Sequence, residues 1–246
     1  MSDRDRRLWL DGYLEQIFVR DTALLGEQRD PRRLRQFLGA LAANTAGLVA
    51  DTELARAADI DVRTAKRYQR LLEDLGIVDA VPAWFTNRLA RLAKSHKRYV
   101  ADTGLAAALV GLDVTGLLRH GDLMGRLLDT FVAAQFRPLL TPAANGARLH
   151  HLRQRDGHHE VDLLLEYPDG RVVAMEVKAS AGPRDSDARH LAWLRERMAQ
   201  RFVAGIVWHT GHWVYPLGDR ITAVPIAVLW GSQPCDTRRF VSHDAA

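Results

Sequence analysis

Residues 158–178 constrain the fold more than any other stretch of this chain. They read HHEVDLLLEYPDGRVVAMEVK, with apolar runs on both sides of a Tyr-Pro-Asp-Gly segment. This pattern predicts a β-hairpin, in which side chains alternate between the two faces with a period of two. Glu160 and Asp162 then share one face of the first strand, and Glu176 and Lys178 share one face of the second.

The length of the hairpin loop decides whether these charged side chains meet. A loop of five residues pairs Asp162 with Glu176, and Glu160 with Lys178, across the two strands. A loop of four residues places Asp162 beside Met175 and puts the two acids on opposite faces. The sequence alone leaves both registers open.

Two acids side by side in an apolar hairpin repel each other and lose hydration, so we expect a positive partner between them. Mg²⁺ binds oxygen ligands, typically one or two carboxylates together with water and phosphate oxygens. We therefore predict Mg²⁺ (or Mn²⁺) at Asp162 and Glu176, with Lys178 holding a phosphate or orienting the attacking water. The alternative is an ordinary amphipathic hairpin whose acids and lysine form solvated ion pairs across the strands.

Composition excludes several classes of protein. The 246 residues, 47% of them hydrophobic, are enough for one or two domains with a packed core. No apolar run approaches the roughly 20 residues of a membrane span, and no signal-type segment follows the charged N-terminus. A single cysteine, Cys235, excludes an internal disulfide. We expect a soluble cytoplasmic protein without membrane contact, whose net charge of +4 permits nucleic-acid binding but does not require it.

Amphipathic helices open the chain. Residues 6–25 place apolar side chains at helical spacing, and a second helix begins at Pro31, so residues 1–45 form an N-terminal helical region. The stripe containing Trp9, Tyr13 and Ile17 predicts a contact surface for an ATPase or another protein partner.

Residues 51–72 have the pattern of a helix-turn-helix. Asp61 is placed to cap the second helix, and Gly76 to end it. One side of that helix is apolar, and the other carries the predicted DNA-binding residues Arg63, Lys66, Arg67 and Arg70. A helix of this kind can enter the major groove with its basic face on bases and phosphates.

A wing is predicted after the helix-turn-helix, with strands at residues 77–81 and 98–101. The run between them is basic, and we add to the DNA-binding set Arg88, Arg91, Lys94 and Lys97. This extends the winged helix over residues 46–112. The alternative is a module that packs between domains and whose charged run is simply solvated.

The remaining elements follow the order helix, three strands, helix, strand, and with the hairpin motif this resembles the PD-(D/E)xK nuclease superfamily. Its members cut phosphodiester bonds with Mg²⁺. The resemblance implies a restriction-endonuclease-like α/β domain with a mixed central sheet over residues 113–235, followed by a flexible tail at 236–246. It also implies a metal ligand on the first helix, where Asp129 stands in place of the more usual glutamate, and Glu160 as an extra ligand.

Several phrases together resemble a narrower family. They are KSHKRYVADTGL at 94–105, EVD at 160–162, EVK at 176–178 and VLW at 228–230. In this order they are similar to the C-terminal half of uncharacterised bacterial and archaeal AAA-type predicted ATPases. These residues contain no Gly-x-x-x-x-Gly-Lys-Ser/Thr motif, so we expect no P-loop ATP hydrolysis here. A shortened member, a late start and half of a split system all stay open.

Three functions remain. The first is a Mg²⁺-dependent nuclease with metal ligands Asp129, Asp162 and Glu176 and the catalytic lysine Lys178. The second is a nuclease-like module that binds DNA or protein without turnover. The third is a regulatory or assembly domain of a separate ATPase.

Overall fold

The computed structural model describes residues 3–18, 30–85, 95–140, 146–154 and 158–231. The fold is mixed α/β, and it divides into two compact units. The first comprises residues 1–80 with 95–131, and the second comprises 81–94 with 132–246. The main division between the units falls at 131/132. The predicted domain boundary between 112 and 113 stays a prediction.

The first unit is mainly helical. Its elements are Asp3–Gln16 (α1), Pro31–Ala43 (α2), Asp51–Ala57 (α3), Val62–Asp74 (α4), Val78–Val81 (β1), Lys97–Val100 (β2), Thr103–Leu109 (α5), Val114–Arg119 (α6) and Gly121–Phe136 (α7), the last of which continues into the second unit. Strands β1 and β2 pair in a two-stranded sheet. Side chains start the helices: Asp30 accepts a hydrogen bond from the Arg32 backbone N–H at 2.9 Å, and Asp61 accepts one from Thr64 at 2.9 Å.

The apolar stripe of α1 is divided between the core and the surface. Leu14, Ile17 and Phe18 are buried. For Ile17 this corrects the predicted contact surface, because a side chain that packs in the core is not available to a partner. Trp9 and Tyr13 stay 61% and 42% exposed, and their rings stack in parallel with centroids 5.6 Å apart. The pair therefore presents an aromatic surface rather than a core contact.

Residues 51–72 contain two helices, α3 and α4, as the sequence predicts. The predicted apolar face of α4 is buried at Ala65, Tyr68, Leu71 and Leu72. Its basic face points outward, and the exposed residues there are Arg63, Lys66, Arg67 and Arg70. The remaining members of the predicted basic run, Arg88, Arg91 and Lys94, lie outside the described residues, as does the predicted tail at 236–246.

The second unit is built on a mixed sheet. Its strands are Arg148–Arg153 (β3), Glu160–Glu166 (β4), Val172–Val177 (β5), Phe202–His209 (β6), Tyr215–Gly218 (β7) and Ile221–Pro225 (β8). In the described part of the chain these six strands lie in the order β3-β4-β5-β6-β8-β7. The first three are antiparallel, β5, β6 and β8 are parallel, and β7 runs antiparallel to β8.

Helix α8 (Arg189–Met198) covers the sheet. The predicted face of Leu191, Leu194 and Met198 is buried in one cluster with residues of β4, β5 and β6. The sequence interpretation did not identify β8. Strand β8 pairs with β6, and the apolar residues that follow it, Ile226–Leu229, form a short 3-10 helix.

The segment that follows β5 is attached to the segment that follows β6. Lys178 N–H donates to the Trp208 carbonyl at 2.8 Å, and Thr210 N–H donates to the Ser180 carbonyl at 3.2 Å. His209 is fully buried at this junction. Its Nδ1 accepts from Gly211 N–H at 3.0 Å, so the ring proton lies on Nε2, 3.1 Å from the Trp213 carbonyl oxygen. Burial lowers the pKa of His209, although hydrogen bonds to nearby backbone groups act the other way.

This buried histidine predicts an acid-dependent loss of stability. The folded state disfavours the imidazolium, whereas the unfolded chain binds a proton at an ordinary pKa of about 6.5. The stabilisation is present above that pH and is lost as the pH falls through it. We expect the difference in unfolding free energy between wild type and His209→Gln to shrink below about pH 6.5. Urea unfolding at a series of pH values measures this difference, and parallel curves for the two proteins would contradict the assignment.

Candidate functional site

The hairpin adopts the five-residue register. Glu166 pairs with Val172, and the ladder continues to Leu163 opposite Met175. The recorded pairing ends at Leu163, and one further step in the same register would place Asp162 opposite Glu176. The loop is closed by the Arg171 carbonyl, which accepts a 2.9 Å hydrogen bond from Tyr167 N–H. The register that brings the two acids together is therefore confirmed.

A compact polar cluster lies at the end of the hairpin opposite the loop, and it consists of Asp162, Glu176 and Lys178. Asp162 Oδ2 accepts a hydrogen bond from Val177 N–H at 3.1 Å, which ties its carboxylate to β5. Lys178 Nζ lies 3.2 Å from Glu176 Oε2. Glu176 is 4% exposed, whereas Asp162 and Lys178 are half-buried, so the cluster is reached from solvent on the side of these two residues.

The electrostatics of the cluster favour charged groups. Burial lowers the pKa of Lys178, but the charges of Glu176 and Asp162 and the hydrogen bond to Glu176 outweigh burial and raise that pKa overall. Asp187, in the 3-10 turn before α8, acts in the same direction. The lysine is therefore an ammonium group held between carboxylates.

A group of histidines borders the cluster. Burial lowers the pKa of His190, on the first turn of α8, and the charges of Arg189, His159 and Lys178 lower it further, while Asp162 raises it. His159 immediately precedes β4, and its Nδ1 lies 3.4 Å from Nδ1 of His190. The sequence analysis did not predict this contact, because His159 and His190 are 31 residues apart and meet only through the packing of α8.

Glu160, the predicted extra ligand, faces a different partner. Its Oε2 lies 3.8 Å from Arg153 Nε on the neighbouring strand β3, and both side chains are exposed. An exposed pair of this kind contributes little to stability.

Asp129 belongs to the first unit and forms a buried ion pair there. Lys97 Nζ lies 2.6 Å from Asp129 Oδ2, with the two side chains 3% and 9% exposed, and Tyr99 OH lies 3.3 Å from Oδ1. Lys97 was expected on the DNA-binding surface. This placement corrects that expectation, because a lysine committed to a buried carboxylate is not presented to a phosphate.

The predicted metal ligands are not all gathered in one place. Across the described ranges, no group of three or more His, Cys, Asp and Glu side chains is arranged to hold a metal ion. Asp162 and Glu176 nevertheless fit a hard divalent cation by donor chemistry and number, because Mg²⁺ commonly uses one or two carboxylates.

No helix within these ranges is long and apolar enough to cross a bilayer.

Comparison with known proteins finds two family models that match separate parts of the chain. Residues 1–115 match a domain of unknown function (DUF8612), and residues 124–229 match a second one (DUF4143). Uncharacterized proteins of Mycobacterium bovis and Mycobacterium tuberculosis are each 32% identical to this chain over 225 residues. The match covers 91% of the chain but 48% of each relative, so the chain spans about half the length of these curated relatives. No solved structure gives a significant match.

The buried pair predicts a large and asymmetric effect on stability. Lys97→Met leaves the Asp129 carboxylate buried without its ammonium partner, so we expect a loss of about 3–5 kcal/mol in unfolding free energy. Lys97→Met combined with Asp129→Leu should recover most of this loss, because no buried charge remains. Urea unfolding measures both changes.

The matched control is an exposed pair of the same unit. Arg35 and Asp11 lie 3.0 Å apart with side chains 44% and 57% exposed, and Arg35→Ala should cost less than about 1 kcal/mol. Equal losses for Lys97→Met and Arg35→Ala would contradict the importance of the buried pair.

Proposed function

We propose that this chain is a DNA-binding protein whose second unit is a PD-(D/E)xK nuclease-like domain that hydrolyses phosphodiester bonds with Mg²⁺. The observation that carries the proposal is the hairpin register, which brings Asp162 next to Glu176 and leaves Lys178 Nζ 3.2 Å from Glu176. One or two carboxylates are a common Mg²⁺ ligand set, and a nearby ammonium group can stabilise the charge of a phosphodiester.

Each side chain of the cluster has a distinct role in this proposal. Asp162 and Glu176 would hold the cation, which when bound would supply a Lewis acid and lower the pKa of a bound water. The Val177 N–H orients Asp162 and keeps its carboxylate toward β5. The Lys178 ammonium, half-buried and directed by Glu176, can donate to a phosphate oxygen and so position the phosphodiester.

Helix α4 supports the DNA-binding part of the proposal. Its buried face packs into the core of the first unit, while its opposite face exposes a row of arginines and a lysine. Basic side chains on the second helix of a helix-turn-helix are suited to contact the major groove and its phosphates. A winged helix over residues 46–112 remains part of the proposal.

A second candidate is an inactive nuclease-like module that serves an AAA-type ATPase. It is favoured by the buried ion pair of Asp129 with Lys97, which neutralises the carboxylate that the nuclease pattern assigns to the metal. The second matched domain is commonly associated with ATPases. The exposed stack of Trp9 and Tyr13 on α1 would be the contact surface for such a partner.

Cleavage of supercoiled plasmid DNA tests the site. We expect nicking with millimolar Mg²⁺ or Mn²⁺ and a loss of at least about 100-fold in Lys178→Ala and Asp162→Asn. The matched control is Asp219→Asn, because Asp219 is an exposed acid of the same unit that lies between β7 and β8, away from the hairpin. DNA binding without cleavage by the wild type under any metal would support the inactive module instead.

Salt dependence of duplex binding tests α4. Each phosphate contact that is lost should reduce the slope of log K against log salt by about 0.9. We therefore expect Arg63→Gln/Arg70→Gln to lower the slope by about 1.8. The control, Arg4→Gln/Arg32→Gln, removes two exposed arginines from other helices of the same unit. Equal slopes for both double variants would exclude α4 as the DNA-contacting helix.

A further inference from the structure

The outer face of α8 carries a stripe of cationic and aromatic side chains. Arg189, Trp193 and Arg197 are spaced by four residues, so they lie above one another on one side of the helix over about 12 Å. Together with His159 and His190, which pack against them, they form what we call the α8 stripe.

The members of the α8 stripe are joined by direct contacts. The His159 ring stacks on Trp193 with centroids 4.1 Å apart and an interplanar angle of 9°. The Arg197 guanidinium lies 5.3 Å from the centre of the Trp193 ring. At the other end, Arg189 Nε donates to His190 Nε2 at 3.1 Å. The stripe is thus a continuous surface of arginine and aromatic groups.

The stripe lies on the surface, although Trp193 also packs partly against the core of the unit. Arg189 and Arg197 are exposed, and Trp193, His159 and His190 are half-buried, while the buried face of α8 is formed by its leucines and Met198. The exposed acid on α8, Glu196, lies beside the stripe and not among the three spaced residues. The contacts of the Trp193 ring with His159 and Arg197 come in addition to this packing.

One end of the stripe adjoins the candidate site. His190 is close enough to Lys178 and Asp162 for both charges to act on it, and His159 directly precedes the strand that carries Asp162. The stripe and Lys178 together form a positively charged path that ends at the acids of the hairpin. Positive charge combined with aromatic faces is the pattern used to bind single strands, because charge follows the phosphates and aromatic rings stack on bases.

We infer that the α8 stripe is a binding track for one unpaired nucleic-acid strand, which it leads to Asp162, Glu176 and Lys178. Duplex DNA fits the stripe less well, because its bases are stacked inside the double helix and cannot stack on side chains along a helix surface. This inference rests on the proposed nuclease function and specifies the substrate of that site as a single-stranded segment.

Binding of fluorescein-labelled (dT)₂₀ in EDTA tests the track without requiring cleavage. Arg189→Gln/Arg197→Gln should reduce the salt slope by about 1.4, because each phosphate contact with a single strand contributes about 0.7. The control Arg171→Gln/Arg201→Gln removes two exposed arginines from the same unit and should leave the slope unchanged. Equal slopes for the two double variants would overturn the inference.

Trp193→Ala tests the stacking contribution. Loss of one base-stacking contact should weaken (dT)₂₀ binding roughly 5- to 150-fold. Trp193→Phe should restore most of it, and Trp213→Ala, which removes another exposed tryptophan of the unit, should have little effect. Two results would count against a track for unpaired bases. One is an equal affinity of wild type and Trp193→Ala for (dT)₂₀, and the other is a loss of duplex affinity in Trp193→Ala as large as the loss of single-strand affinity.

Photo-cross-linking locates the strand directly, even if α4 dominates total affinity. An oligonucleotide with 5-iododeoxyuridine should cross-link to the tryptic peptide HLAWLR, residues 190–195. Cross-links confined to peptides of α4 would overturn the track. The outcome is independent of cleavage. Cross-linking at α8 with no cleavage of either plasmid or (dT)₂₀ in Mg²⁺ would refute the nuclease and retain the strand-binding surface, whereas cleavage without cross-linking at α8 would do the reverse.

Discussion

The register of the β4–β5 hairpin is the constraint on which the candidate site depends. Side chains alternate along a strand, so a shift by one residue would move Asp162 to the other face and away from Glu176. The loop of residues 167–171 prevents this shift through its own backbone hydrogen bonds, and the side chain of Asp169 accepts further bonds from Arg171. A turn at one end of the hairpin therefore determines the electrostatics at the other.

The burial of lysine–carboxylate pairs differs between the two units. In the first unit, Lys97 and Asp129 are enclosed together, and removing water from both ions is balanced by their 2.6 Å contact and by Tyr99. In the second unit, Lys178 keeps access to solvent beside two acids. The same pairing of lysine and carboxylate is thus enclosed in the core of one unit and partly open to solvent in the other.

The sequence predicted those parts of the fold that depend on local periodicity. The hairpin strands, the buried face of α4 and the helix Gly121–Phe136 follow from side-chain spacing, capping residues and glycine positions. Strand β8 was missed because ITAVP is short and mixes polar and apolar residues, and its identity depends on pairing with β6. The ion pair of Lys97 with Asp129 and the stacking of His159 on Trp193 join residues that are 32 and 34 positions apart. Single-sequence patterns contain no information about such contacts.

Gly211 allows the segment after β6 to pack closely against the segment after β5, next to Lys178. A Cβ at this position would lie 1.9 Å from the carbonyl oxygen of Ala181, so only glycine lets the two segments approach as they do. The chain from Lys178 onward is held against the end of β6 by hydrogen bonds to Trp208 and Thr210. The backbone position of Lys178, and with it the starting point of its half-buried side chain, is set by this close approach of the two segments.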